Sequence, residues 1–382
     1  MILKMRVFKS KIKKKYIDDL KNQISNGRII NWSPEKNKNA GLKFKDLKYI
    51  LNYWKTKFDW EKQEEVLNKF NQYKLKINDV DLHFLHIKSS FKNAKPLMLI
   101  HGWPGSIFEF LDIIPMLSNP IGKNKNDFLP FDLVVPSLPN VGYSFSLNQK
   151  PKDLDQIASI FLKLMNKIGY KKYFIQGGDL GSFIASIMAV KKPKRVLGIH
   201  INMLPLPRGL NKKPKNKLEQ KFFLDLKNWM HFETGYQAIQ GTKPFTVAHA
   251  LNSSPIALCS YISEKFYSWT DNKGKLFKTI NIDRMLANIS LYWFTGCIGG
   301  SFWPYYIRHR SDWPIDKNKP IEVPTGYSEF PKELFLPPKT LAEQFYKQIN
   351  FWKKHKTGGH FAALEQPDEL VLDINDFVKK NI

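Results

Sequence analysis

One aspartate occupies a position where an exposed nucleophile is expected. Residues 173–182 read as a short apolar run, the turn Gly-Gly-Asp-Leu-Gly at 177–181, and the start of a helix. Small residues on both sides of Asp179 allow the tight strand-to-helix turn that lifts a nucleophile above a sheet. Aspartate is ionised at neutral pH and attacks without a base, whereas serine would need one. Its attack on an sp3 carbon bearing a leaving group gives an ester that water can cleave, which indicates epoxide opening or dehalogenation.

An ester on Asp179 needs a histidine to activate water and an acid to orient that histidine. In proteins built on such a turn, the chain order is nucleophile, acid, histidine. His360 lies in a glycine-rich segment just before the last predicted helix, and Glu333 precedes it after a predicted strand. The sequence therefore predicts His360 as the base, with Glu333 as one candidate acid. Three other acidic residues remain open for that role: Asp312, Asp316 and Glu329.

The segment His-Gly-Trp-Pro-Gly-Ser at 101–106 directly follows a predicted strand and is rich in turn residues. A loop in this position can supply one backbone N–H of an oxyanion hole, and the residue after the nucleophile supplies the other. We therefore predict that the backbone N–H groups of Trp103 and Leu180 stabilise the oxyanion. That oxyanion would form on the Asp179 carbonyl when water attacks the ester.

Short apolar strands alternate with amphipathic helices on both sides of this turn, a pattern typical of a mostly parallel sheet. Combined with the turn at Asp179, the alternation predicts an α/β-hydrolase fold, with a mostly parallel sheet flanked by helices, a helical cap and an N-terminal helical extension. Besides the strand that leads into Asp179, the predicted strands are 73–77, 80–87, 96–100, 131–135, 196–201 and 321–324.

The organisation of the chain follows from where the strand pattern stops and resumes. Residues 1–75 are polar and helical in character, and we expect them to pack on the core and the cap. Residues 76–204 form the first part of the core. The strand pattern disappears over 205–314, which is helical and aromatic and is predicted to cover the substrate. Residues 315–382 complete the core and end in a helix that begins at Pro367.

Composition and charge bear on which classes of protein this chain can belong to. The net charge is +26, but lysine is spread through the chain without a nucleic-acid-binding motif, so no nucleic-acid partner is predicted. No apolar stretch approaches the roughly 20 residues that span a bilayer. The two cysteines, Cys259 and Cys297, have no metal or redox spacing, which favours a reducing, cytoplasmic location. A homo-oligomer is compatible with the sequence.

Several separated segments resemble the microsomal-type epoxide hydrolases, and the similarity runs from about residue 32 to the C-terminus. The segments are His-Gly-Trp-Pro at 101–104, Gly-Gly-Asp at 177–179, Gly-Tyr at 235–236, Gly-Thr-Lys-Pro at 241–244, Tyr-Trp-Phe-Thr-Gly at 292–296, Phe-Pro-Lys-Glu-Leu at 330–334 and Gly-Gly-His-Phe-Ala-Ala at 358–363. The resemblance implies that Glu333 is the acid. It also implies that Tyr236 and Tyr305, with Tyr306 as an adjacent rival, donate to the epoxide oxygen as negative charge develops.

The resemblance implies an enzyme that converts an apolar epoxide to a vicinal diol, with water as the second reactant and no metal or organic cofactor. The family often has Trp after the nucleophile, whereas this chain has Leu180, which changes the pocket but keeps the backbone N–H. A haloalkane dehalogenase shares the Asp nucleophile, but Leu180 cannot supply the side-chain halide donor that such a Trp provides. The second alternative is a non-catalytic carrier that holds an apolar ligand in the same pocket.

Overall fold

A computed structural model describes residues 5–30, 40–120, 128–207, 213–313, 315 and 318–382, and the strands of these residues join in one sheet. The sheet has the order β1-β2-β3-β5-β4-β6-β7-β8-β9. Strands β4 to β9 run parallel to one another, while β1, β2 and β3 pair antiparallel at one edge. In chain order the strands are β1 Arg6–Phe8, β2 Gln72–Ile77, β3 Val80–Ile87, β4 Lys95–Ile100, β5 Phe131–Pro136, β6 Tyr173–Gly177, β7 Val196–Ile201, β8 Ile321–Glu329 and β9 Tyr346–Lys354.

Helices connect and flank the strands of the sheet. Between β1 and β2 lie α1 Lys14–Asn26, α2 Phe44–Thr56 and α3 Trp60–Asn68. Among its strands lie α4 Ile113–Ser118, α5 Leu154–Lys167 and α6 Leu180–Lys191. Between β7 and β8 lie α7 Lys217–Phe232, α8 Gly235–Thr242, α9 Pro244–Ser253, α10 Pro255–Trp269, α11 Leu276–Thr279, α12 Ile282–Thr295, α13 Ile298–Ser301 and α14 Trp303–Arg308. The last helices are α15 Lys339–Ala342, α16 Ala362–Glu365 and α17 Pro367–Lys379.

The central strands are apolar because helices cover both faces of the sheet. All five residues of β6 are buried, as are the last four residues of β4. A parallel strand buried on both faces reads as a near-continuous apolar run, which is why the sequence identified these strands correctly. The helix leading toward β6 begins with a capping box, in which Asp153 accepts from the Gln156 backbone N–H and the Gln156 side chain accepts in return.

The N-terminal helices contact the helices inserted between β7 and β8. The indole Nε1 of Trp54 on α2 donates to Ser290 Oγ on α12 at 3.0 Å, and both residues are buried. Arg284, which is also on α12, donates to Gln63 of α3 and forms an ion pair with Asp112 at 2.7 Å. The division into extension, core and cap stays a prediction, and its boundary at residue 314 lies outside the described residues.

Three strand predictions were wrong or incomplete. Strand β1 lies within a region predicted to be helical, and β9 had no counterpart among the predictions. Strand β8 continues to Glu329, beyond the predicted end at residue 324. Pro324 and Gly326 resemble strand breakers in sequence, but the ladder accommodates them with register shifts beside both residues. In the described parts of the chain, no helix is long and apolar enough to cross a membrane.

The close approach of α6 to β4 gives a testable prediction about the turn. A methyl group at Gly181 would lie 2.1 Å from the Ile100 carbonyl oxygen, which belongs to backbone and cannot move aside. We expect Gly181→Ala to lower the free energy of unfolding by about 3 kcal/mol, measured by urea denaturation.

The matched control for this prediction is Gly299→Ala on α13. The added methyl there would make an ordinary contact, 3.4 Å from the nearest atom, Ala248 Cβ. We expect the control to leave the free energy of unfolding within about 1 kcal/mol of the wild-type value. Equal destabilisation by the two substitutions would contradict the packing argument.

Candidate active site

Asp179 lies at the junction between β6 and α6 in a backbone conformation that L-residues rarely adopt. Its φ is +48° and its ψ is −127°, and the residue is 8% exposed. Such strain persists only where the surrounding structure enforces it, and it is concentrated at functional sites. The loop after β4 approaches so closely that a methyl group at Gly102 would lie 2.3 Å from Asp179. Glycine at 102 is therefore required for the loop to meet the carboxylate.

Two backbone N–H groups orient the Asp179 carboxylate, and the Trp103 N–H fixes its Oδ1. The Trp103 N–H donates to Asp179 Oδ1 at 2.8 Å, and the Leu180 N–H also bonds to the carboxylate. These are the two donors that the sequence predicted for an oxyanion hole. Oδ2 is directed elsewhere and lies 3.6 Å from His360 Nε2. The carboxylate is thus oriented with one oxygen fixed and the other available.

His360 stands between two carboxylates. Its Nδ1 lies 2.6 Å from Glu333 Oε1, and both side chains are buried. The edge of the Trp269 ring packs against the imidazole with a centroid distance of 5.0 Å, and the His360 N–H donates to the Trp269 carbonyl. The side chain of Asn202 donates to the His360 carbonyl at 3.4 Å.

The other acids left open by the sequence do not meet this histidine. Glu329 accepts from the Trp352 indole and pairs with Lys354 at 3.0 Å. Asp312 is exposed in the segment after α14, and Asp316 lies outside the described residues. Among the described acids, Glu333 is therefore the one that hydrogen-bonds the imidazole.

The charges around His360 control its protonation. Burial by itself lowers its pKa, but the hydrogen-bonded charge of Glu333, with Asp179 and Glu109, raises that pKa to about 9. The imidazole is therefore protonated at neutral pH. Burial raises the pKa of Asp179, whereas His360 and the two backbone N–H groups oppose that change.

The tyrosines that the resemblance identified face the same carboxylate. Tyr236 on α8 stacks on the Trp103 indole at 5.4 Å with an interplanar angle of 9°, and Tyr305 on α14 packs edge-on against the same indole at 5.7 Å. The two phenol rings are 5.9 Å apart and both are buried. Burial and then the charge of Asp179 raise the pKa of each phenol well above its ordinary value, so both remain protonated.

Tyr306 lies apart from this group. It is partly exposed, stacks on Trp303 at 4.8 Å, and carries the Arg310 guanidinium 3.6 Å from its ring centroid. Tyr305 and not Tyr306 therefore lines the cavity beside Asp179.

A cavity of about 490 Å³ opens in front of Asp179. Its walls are mostly apolar, and its few polar groups include the phenols of Tyr236 and Tyr305. This combination suits a small apolar molecule with one reactive oxygen. The apolar walls come largely from α7 and from the segment after Glu333: Phe222, Phe223, Leu226, Trp229, Leu334 and Phe335.

Sequence reasoning missed the residues that support the candidate oxyanion loop, which is the segment 101–106 that carries the Trp103 N–H. Helix α12 supplies two of them: Asn288 donates to the Pro104 carbonyl at 2.6 Å, and Tyr292 donates to the Gly105 carbonyl at 2.9 Å. Sequence reasoning also missed Glu109, which lies close to both Asp179 and His360. A lone glutamate within the otherwise apolar run Ile-Phe-Glu-Phe-Leu at 107–111 was the available signal for it.

Comparison with known proteins identifies the families and relatives that this chain resembles. Residues 5–110 match the family described as epoxide hydrolase N terminus, and residues 95–230 match the alpha/beta hydrolase fold family. Epoxide hydrolase 1 of Sus scrofa is 36% identical, covering 98% of this chain and 88% of its own length. The structure of juvenile hormone epoxide hydrolase from the silkworm Bombyx mori superposes with a TM-score of 0.88 at 29% identity, over 99% of this chain and 95% of that one. The structure of Aspergillus niger epoxide hydrolase superposes with a TM-score of 0.86 at 31% identity, over 99% of this chain and 96% of that one.

These similarities confirm the fold class predicted from the sequence. Two matches with TM-scores near 0.9 extend over almost the entire chain, including the helices between β7 and β8. The mostly parallel sheet with flanking helices is therefore an α/β-hydrolase fold.

The Glu333 contact gives a prediction about the pKa of His360. We expect Glu333→Gln to return that pKa from about 9 toward its ordinary value near 6.5, because the largest opposing charge is removed. Titration of the His360 ring by NMR would measure it, with Glu329→Gln as a control that leaves the pKa unchanged.

The same contact affects stability, with a definite sign. A pKa raised in the folded state gives stabilisation that is fully present below about pH 6.5 and is lost as the pH rises through about 9. Glu333→Gln should therefore flatten the decline in the free energy of unfolding over that range. An unchanged pKa of His360 in Glu333→Gln would contradict both expectations.

Proposed function

Since the chain belongs to the epoxide hydrolase family, we propose that it opens an apolar epoxide to a vicinal diol through a covalent ester on Asp179. One observation carries this proposal. Asp179 Oδ1 is held by the Trp103 N–H at 2.8 Å while Oδ2 remains available beside the cavity that Tyr236 and Tyr305 line. A carboxylate oriented in this way faces the ring carbon of an epoxide, while the two phenols can donate hydrogen bonds to the epoxide oxygen.

In the first half-reaction, Asp179 Oδ2 attacks a ring carbon of the epoxide and the carbon–oxygen bond of that carbon breaks. The released alkoxide takes a proton from Tyr236 or Tyr305, each of which is a neutral phenol in this environment. The product is a hydroxyalkyl ester, in which Oδ2 is the bridging oxygen and Oδ1 is the carbonyl oxygen.

Ester formation converts His360 into a base. Esterified Asp179 carries no charge, so one of the groups that raise the pKa of His360 is removed. The imidazolium proton then passes to the tyrosinate, which restores the phenol and leaves a neutral imidazole. Glu333 stays hydrogen-bonded to Nδ1, so Nε2 is the nitrogen free to accept a proton.

In the second half-reaction, neutral His360 takes a proton from water as the water oxygen attacks the Asp179 carbonyl carbon. Negative charge develops on Oδ1, which already accepts from the Trp103 N–H, and the Leu180 N–H also bonds to this carboxylate. Collapse of this intermediate expels the diol oxygen, which is protonated by His360. The remaining carboxylic proton returns to the imidazole, so the resting charges are restored.

The apolar walls of the cavity favour an apolar epoxide, and styrene-like, terpene and fatty epoxides all have suitable chemistry. A haloalkane dehalogenase would use the same nucleophile but would release halide and an alcohol. Leu180 offers it no side-chain donor beside the nucleophile. Assaying halide release against diol formation separates the two activities.

A first prediction concerns the covalent intermediate. In His360→Ala, an aryl epoxide should alkylate Asp179, but the ester should persist, because no base remains to activate water. Intact mass should show a stoichiometric adduct, which peptide mapping should locate at Asp179. The exposed His249 serves as control, since His249→Ala should release diol as wild type does.

Two results would contradict the ester proposal. One is an adduct on a residue other than Asp179. The other is the absence of both adduct and diol in wild type with several epoxides, which would favour the dehalogenase or the carrier.

A second prediction separates the tyrosines. Tyr236→Phe and Tyr305→Phe should each slow ester formation by about 10- to 100-fold, because one donor to the developing alkoxide is lost. Ester hydrolysis should change little in either variant. Rapid-quench measurement of the two steps would test this, and Tyr306→Phe is the matched control because Tyr306 does not line the cavity. An equal loss in Tyr306→Phe would contradict the assignment.

A further inference from the structure

A second, much smaller cavity lies beside the catalytic groups. Its volume is about 20 Å³, and of the described residues Asp179 alone lines both this cavity and the large one. His360 lines the small cavity and does not line the large one. The nucleophile thus stands between a mostly apolar compartment that fits a substrate and a compartment that reaches the base.

The small cavity matches one water molecule in size and in chemistry. A water needs about 10–15 Å³ of such volume and two to four polar partners. Besides Asp179 and His360, three polar side chains line it: Glu109, Gln176 and Asn202.

Gln176 provides independent evidence that this cavity takes a polar ligand. The residue is 1% exposed, and its Nε2 donates to Asn202 Oδ1 at 2.9 Å, which orients the amide. Its Oε1 is buried and has no hydrogen-bond partner among the described residues. A buried acceptor left unsatisfied costs about 1–3 kcal/mol, so a donor such as water is favoured there.

Glu109 is the ionisable group of this cavity that the two half-reactions above do not use. It belongs to a short 3₁₀ turn after the oxyanion loop, and its Oε1 is packed so closely on Gly105 that a methyl group there would lie 1.3 Å away. The Ser106 N–H bonds to its carboxyl. Both contacts hold the carboxyl group in one orientation at the wall of the cavity.

We propose that Glu109 positions the hydrolytic water in this small cavity, separately from the compartment that holds the epoxide. This inference rests on the proposed ester mechanism. The water donates one O–H to His360 Nε2 and the other to the Glu109 carboxyl, with Gln176 Oε1 as an adjacent acceptor. A lone pair of the water oxygen is then directed at the Asp179 carbonyl carbon, and the proton that leaves the water goes to His360.

Separate compartments explain how the water and the diol chain can both contact Asp179 at the same time. The water needs no path past the substrate, because its cavity is lined by the base itself. Desolvation raises the pKa of Glu109 to about 8, so at neutral pH its carboxyl accepts a hydrogen bond without adding a second negative charge beside Asp179. A neutral amide should therefore replace the carboxyl with little loss.

The test measures ester formation and ester hydrolysis separately, by rapid quench and intact mass, with an aryl epoxide as the probe. In Glu109→Met we expect hydrolysis to slow by about 100-fold and formation to stay within about threefold of wild type. In Glu109→Gln we expect both steps to stay within about fivefold, because the amide oxygen accepts the same hydrogen bond. Glu64→Met removes another buried carboxyl, which bonds Ser10 Oγ at 2.6 Å, and should leave the ratio of the two rates unchanged.

Three results would overturn the proposal: unchanged hydrolysis in Glu109→Met, equal slowing of both steps, or a loss in Glu109→Gln as large as in Glu109→Met. If Glu109→Met does not fold, Glu109→Asp withdraws the carboxyl by one methylene and should slow hydrolysis selectively. A failure of the ester mechanism is recognised independently, because no adduct would then form on Asp179 in His360→Ala.

Discussion

The geometry of the site depends on the strained backbone of Asp179. With φ at +48°, the residue directs its carboxylate out of the junction between β6 and α6, toward the loop that follows β4. That loop can reach the carboxylate only because residue 102 has no side chain, and α6 can start there only because residue 181 has none. The parallel pairing of β4 with β6 places the two segments at the same edge of the sheet. The strain is maintained because the buried strands on either side leave the turn no room to relax.

A single imidazole balances the negative charge of the site. His360 lies between Glu333 and Asp179, with Glu109 close enough to contribute, and its raised pKa follows from all three carboxyl groups. The consequence is that the charge of Asp179 and the basicity of His360 are coupled. In the proposed mechanism Asp179 loses its charge when it becomes an ester, so the pKa of His360 falls and His360 can act as the base of the second half-reaction.

The helices between β7 and β8 contribute to the site in two ways. They carry the phenols of Tyr236 and Tyr305, which pack with the Trp103 indole into one aromatic cluster. They also hold the loop at residues 101–106, since two side chains of α12 donate to its carbonyl groups. The N-terminal helices in turn hold α12 through the Trp54 indole. Buried hydrogen bonds made by α12 thus link α2 on one side and the loop that carries the Trp103 N–H on the other.

The sequence by itself determined the nucleophile candidate, the histidine candidate, the candidate oxyanion loop at residues 101–106 and the class of fold. These depend on local signals: small residues around Asp179, glycines before His360, turn residues after a strand, and apolar runs in strands buried on both faces. Edge strands carry weaker signals, so β1 and β9 were missed. The second half of β8 was missed because Pro324 and Gly326 resemble strand breakers in sequence. The register shifts that accommodate them arise only in the pairing with β9.

Only the tertiary structure decided which of several similar residues meet at the site. Glu333 and Glu329 lie four residues apart in sequence, yet one contacts His360 and the other contacts Trp352 and Lys354. Tyr305 and Tyr306 are adjacent on one short helix, and the direction of each side chain places only the first in the cavity. Glu109 lines a small cavity with Asp179 and His360, and the walls of this cavity come from four separate parts of the chain. Such choices depend on distances between segments far apart in sequence, which packing sets and residue spacing does not encode.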